Sequence, residues 1–96
     1  MLEKDFQSNF IKELEQLFPG CVVLKNDPNY IQGFPDLLIL YENRWAALEC
    51  KKNELSTYRP NQKYYLEILN DMSFAAAVYP NNREEVLYAL QSAFRS

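Results

Sequence analysis

The sequence predicts an α/β fold, a mixed central sheet flanked by helices in the element order α-β-β-β-α-β-α. Three observations predict it: three segments repeat apolar residues at helical spacing, four shorter runs suit strands, and Pro, Gly or Asn clusters separate them. The chain has 96 residues, 48% of them hydrophobic, which is enough for one domain (1–96) to close a single core. No repeat, linker or low-complexity segment interrupts it.

Phe6, Phe10, Ile11, Leu14, Leu17 and Phe18 recur at helical intervals and Pro19-Gly20 ends the pattern, so the first helix is predicted over about Lys4–Phe18. Cys21–Leu24 reads as a strand. The polar stretch from Lys25 to Gln32 is a loop, and Gly33 with Pro35 leads into a second strand over about Asp36–Tyr41. Glu42-Asn43 forms a hairpin tip, and Arg44–Lys51 is the return strand. Asn53–Thr57 is loop-like, and Pro60 suits the first turn of a helix whose apolar positions are Tyr64, Tyr65, Ile68 and Leu69. Phe74–Tyr79, continuous and apolar, reads as a strand covered on both faces. After the turn at Pro80-Asn81-Asn82, Val86, Leu87, Leu90 and Phe94 mark the closing helix. The longest apolar runs, Leu37–Tyr41 and Phe74–Tyr79, are too short to span a bilayer, and the N-terminus carries charge where a signal peptide is apolar. The expectation is a cytoplasmic protein without membrane contact.

Composition narrows the chemistry. There is no histidine, which excludes Ser-His-Asp and Cys-His nucleophiles and any imidazole base. The two cysteines, Cys21 and Cys50, form neither a disulfide framework nor a zinc site without further ligands. The net charge of −3 disfavours a polyanionic partner, but between Arg44 and Lys63 five basic residues face two acids, so the middle of the chain is basic.

Charged residues inside apolar segments are costly unless paired, bound to metal or used. In the return strand Glu49 and Lys51 share a face with Ala47, while Leu48 and Cys50 face the other way. A tight hairpin brings Asp36 to the same end of the sheet. On the first helix Glu3 nearly shares the direction of the apolar stripe, with Gln7 on the same side. Three acids and a lysine converging in an apolar setting suit a hard divalent cation with oxygen ligands, Mg²⁺ or Mn²⁺, and hydrolysis of a phosphodiester. The bland alternative makes Asp36 a turn cap, Glu49 and Lys51 a surface ion pair, and Glu3 a frayed terminus.

Pro35-Asp36 followed by Glu49-Cys50-Lys51 resembles the PD-(D/E)XK nucleases, whose restriction-endonuclease-like core has the same element order. Glu3, Gly33-Phe34-Pro35-Asp36-Leu37, Leu48-Glu49-Cys50-Lys51-Lys52 and Gln62 narrow the resemblance to the VRR-NUC branch, especially the short stand-alone versions carried by bacteriophages. It covers nearly the whole chain and departs at Cys50, where the family usually has an aliphatic residue. The resemblance implies a Mg²⁺- or Mn²⁺-dependent DNA endonuclease, selective for branched DNA such as Holliday junctions or flaps, often a homodimer, and in the host cytoplasm if phage-encoded. It makes Asp36, Glu49 and the Cys50 carbonyl metal ligands, Lys51 the catalytic lysine, Glu3 an acid that binds or orients the metal, and Gln62 a group positioning water or phosphate. A catalytically silent DNA- or protein-binding module on the same fold is the rival reading. Lys25, Lys52, Arg59 and Lys63 are candidates for a phosphate-binding rim, against scattered surface charge, and Tyr30 for stacking on a base, against loop packing. Tyr58, Tyr64 and Tyr65 suit core and helix packing or a dimer interface.

Overall fold

In the computed structural model, which describes residues 2–95, the elements run α1 (Glu3–Leu17), β1 (Val22–Lys25), β2 (Leu37–Tyr41), β3 (Arg44–Cys50), α2 (Gln62–Met72), β4 (Phe74–Val78) and α3 (Arg83–Arg95). A single 3₁₀ turn, Pro80–Asn82, precedes α3. The four strands form one mixed sheet in the order β1-β2-β3-β4. The first two pairings are antiparallel and β3 pairs with β4 in parallel, the crossover being α2.

The two faces of the sheet are covered unequally. On one, Leu37, Ile39, Ala46, Leu48, Cys50 and Val78 pack against Phe6, Phe10 and Leu14 of α1 and Val86, Leu87, Leu90 and Phe94 of α3. On the other, α2 seats Leu69 against Ala47 and Ala75, with Leu38, Trp45 and Phe34 around them. Alternation along β3 sorts its side chains between these layers, and each large apolar side chain removed from water stabilises by roughly 1.5–3 kcal/mol. The α2 layer stops short of β1, leaving Val22, Leu24 and Leu40 exposed.

Several predicted boundaries move. Asp36 lies one residue before β2 and Lys51 one residue after β3, the Asp36 amide donating to the Glu49 side chain in place of the β3 backbone; the Lys51 amide still donates to Val78 O at 2.8 Å. Lys25 ends β1, where a loop was expected, since it pairs with Leu37. The second helix begins at Gln62, not Pro60, because Asn61 takes a left-handed conformation with φ of 73°. β4 is an edge strand, covered on both faces as expected: Phe74, Ala76 and Val78 pack with the α1 and α3 layer and Ala75 with α2.

Candidate active site

The register of β2 on β3 pairs Leu37 with Leu48, which brings Asp36, one residue further out, to Glu49. Two backbone-to-carboxylate hydrogen bonds tie the strand ends together: the Asp36 amide donates to Glu49 Oε1 at 3.2 Å, and the Cys50 amide donates to Asp36 Oδ2 at 3.0 Å. Asn26 holds the approach, its side-chain amide donating to Pro35 O at 2.7 Å and its backbone amide to Asp36 O at 2.8 Å. Pro35 cannot continue a ladder as donor, so the chain leaves β2 here and carries Asp36 to the wall of a cleft.

Glu49 and Lys51 lie on the α2 face of the sheet, just past the N-terminus of that helix. Glu49 is 3% and Lys51 7% exposed. Gln62, the first residue of α2, joins them: its Nε2 donates to Glu49 Oε2 at 2.9 Å, and its Oε1 accepts from Lys51 Nζ at 2.8 Å and from the Arg59 amide at 2.6 Å. Lys51 Nζ also donates to Thr57 O at 3.0 Å and faces the Tyr58 ring, 4.7 Å from its centroid. Its distance to Glu49 Oε2 is 3.8 Å. Gln62 thus bridges an acid and an amine that are themselves ion-paired, and no buried side-chain nitrogen or oxygen among the described residues lacks a partner.

These groups line one wall of a cleft of about 810 Å³, whose other residues include Glu3, Asn29, Gln32, Phe34, Lys52 and Arg59. Burial and the neighbouring Asp36 charge push Glu49 up to about 7. Burial also raises Asp36, against the Cys50 amide bond that lowers it. Two carboxylates held against each other at a cleft wall are the environment a small divalent cation stabilises, and Mg²⁺ needs only one or two carboxylates because it keeps several waters. The donor set of Asp36 and Glu49, oxygen throughout, fits such an ion.

The structure also separates residues that the sequence reading joined. Glu3 lines the cleft and is solvent-exposed, close enough that its charge adds to the effects raising Glu49. Among the described residues no group of three or more histidine, cysteine or acidic side chains that could hold a metal forms. The Cys50 side chain is in the core, with its thiol pushed up to about 12 by burial, so that only its backbone could serve a cation. Lys52 and Arg59 reach the cleft, Lys63 lines an adjoining groove, and Lys25 and Tyr30 line neither. Tyr30 is 85% exposed. The contacts of Asn26, Thr57 and Tyr58 at the site were not read from the sequence: Asn26 has the character of any loop polar residue, and only Pro60, inside the turn that the Gln62 amide closes on Arg59 O at 3.1 Å, marks a fixed conformation there.

No protein-family model matches the chain, and neither a curated protein nor a solved structure matches it. Its class therefore rests on the α/β fold and the Asp36–Glu49–Lys51–Gln62 cluster.

Proposed function

We propose that the protein is a Mg²⁺- or Mn²⁺-dependent DNA endonuclease that hydrolyses phosphodiester bonds and prefers branched DNA, such as four-way junctions or flaps. The observation that carries this reading is the placing of the Asp36 and Glu49 carboxylates side by side, held by the Cys50 and Asp36 amides, with Lys51 and Gln62 fixed beside them at one cleft. The resemblance to PD-(D/E)XK nucleases of the VRR-NUC branch, carried by the same residues, supports it.

Asp36 and Glu49 would hold the cation, with the Cys50 carbonyl as a further oxygen donor. When bound, the ion supplies Lewis acidity, neutralising charge that develops on the phosphate and lowering the pKa of water beside it. Lys51, whose ammonium is aimed by Thr57 O and Gln62 Oε1, presents positive charge where the pentavalent phosphate accumulates negative charge. Gln62 keeps Glu49 Oε2 and Lys51 oriented by bonding to both, beside their ion pair at 3.8 Å. Lys52 and Arg59, at the rim, attract and seat the DNA backbone. A homodimer belongs to the same proposal, since a two-fold pair of sites cuts two strands of opposite polarity symmetrically.

The test is incubation of the protein with Mg²⁺ or Mn²⁺, and with EDTA, against linear duplex, flap, four-way-junction and single-stranded DNA, with light scattering on the same samples. Metal-dependent cleavage, fastest on branched DNA by a dimer, is expected. Binding without cleavage under every condition identifies the silent module instead, and a monomer both free and with junction DNA removes the dimer.

A further inference from the structure

A second groove, of about 680 Å³, adjoins the cleft. Ser56, Thr57 and Arg59 line both, so the two depressions share the segment that bonds Lys51 and are continuous past it. The groove also carries Tyr58, Tyr64, Lys63 and one acid, Glu54.

Its aromatic groups are presented to solvent yet held firmly. Tyr64 is 58% exposed, and its ring meets Tyr65 edge to face at a centroid distance of 5.2 Å. Tyr65 in turn meets Phe34, which lines the cleft, at 5.6 Å, so an aromatic row joins groove and cleft behind their shared wall. Lys63 Nζ sits over the Tyr58 ring at 5.2 Å, which keeps that ammonium beside the aromatic surface. Two cations against one acid leave the groove positive in a protein of net charge −3. Exposed, braced aromatic rings interleaved with cations are the requirement for unpaired nucleotides: bases stack on the rings whatever their sequence, and phosphates meet the cations. A duplex, with its bases already stacked, cannot use the rings.

We infer that this groove binds single-stranded DNA flanking the scissile phosphate, with bases against Tyr64 and phosphates at Lys63 and Arg59. The position of the scissile bond rests on the nuclease reading; strand binding by the groove does not. The result is a polarity for the substrate, one arm of which must be unpaired to pass from the cleft across the Ser56–Arg59 segment into the groove.

The test is fluorescence anisotropy in EDTA with a labelled oligothymidylate of about eight nucleotides and an abasic oligomer of equal length. Wild type should bind oligothymidylate about tenfold more tightly than the abasic strand. Tyr64→Ala should erase that difference, Tyr64→Trp should retain it, and Lys63→Ala should weaken both strands alike. Tyr64 is exposed, so these variants keep the core. An unchanged ratio in Tyr64→Ala, or no binding of either strand by wild type, overturns the inference. Metal-dependent cleavage by wild type, measured separately, decides the nuclease reading: cleavage with an unchanged ratio sinks the groove alone, and base-dependent binding without cleavage sinks the nuclease alone.

Discussion

At the scale of single residues, adjacent lysines have different surroundings. Lys51 is buried and bonded to Thr57 O and Gln62 Oε1, whereas Lys52 is exposed at the cleft rim. Lys51→Ala should lower the single-turnover rate about 100-fold or more with little change in DNA affinity, the scale of removing one charge-stabilising donor. Lys52→Ala should weaken binding and reduce the slope of log affinity against log salt by about 1. Equal losses of rate at saturating DNA contradict the assignment. Glu49 also predicts a pH dependence. Its pKa rises from an ordinary 4.5 to about 7 by burial and the Asp36 charge, so the native state holds the proton more tightly than the unfolded chain. The stability this contributes is complete below about 4.5 and is lost as pH rises through about 7. In EDTA the urea midpoint should therefore fall over that window, by on the order of 1–2 kcal/mol in stability, and Glu49→Gln should flatten the fall. A wild-type midpoint that climbs over the same window refutes it. The alternation of Ala47, Glu49 and Lys51 made the pairing of acid and amine legible in the sequence. The family resemblance placed Gln62 near the site, but its bonds to both Glu49 and Lys51 were not legible, since spacing in sequence does not reveal which helix terminus will meet a strand end 11 residues away.

At the scale of elements, the cleft depends on how closely the loop before β2 approaches the start of α2. Gly33 has φ of +88°, and a Cβ there would lie 2.7 Å from both Pro60 O and Asn61 Cβ. The backbone of one loop thus rests directly on the turn that places Gln62, and Asn61 is itself left-handed. Gly33→Ala combines left-handed strain with overpacking, and should cost about 3 kcal/mol in denaturant unfolding and slow cleavage by displacing Gln62. Unchanged stability refutes the close approach. The order of all elements was legible because helical spacing in α1, α2 and α3 contrasts with the short strands between Pro, Gly and Asn signals. Helical direction made Glu3 legible as a residue turned toward the cleft, which it lines, whereas its exposure to solvent was not legible because spacing does not show what covers a first turn. Likewise the α2 start shifted from Pro60 to Gln62 because a left-handed Asn61 is a tertiary adjustment, invisible to propensity.

At the scale of the whole molecule, a chain with net charge −3 gathers Glu3, Asp36, Glu49, Lys51 and Gln62 in one cleft, where the hairpin end, the N-terminus of α2 and the first turn of α1 converge. No helix among the described residues is long and apolar enough to cross a membrane. Uneven coverage of the sheet leaves Val22, Leu24 and Leu40 exposed, apolar surface that the proposed dimer would use. The central claim is that Asp36 and Glu49, crowded together at the cleft wall, hold a divalent cation, and it is tested without knowing the right DNA. An ion that binds only the native state raises its melting temperature, while removing one acid relieves crowding in the metal-free protein. The measurement is the melting temperature of wild type and Asp36→Asn as Mn²⁺ is titrated from EDTA. Wild type should start at or below the variant and rise with Mn²⁺ while the variant stays nearly flat; parallel curves for the two would contradict the account.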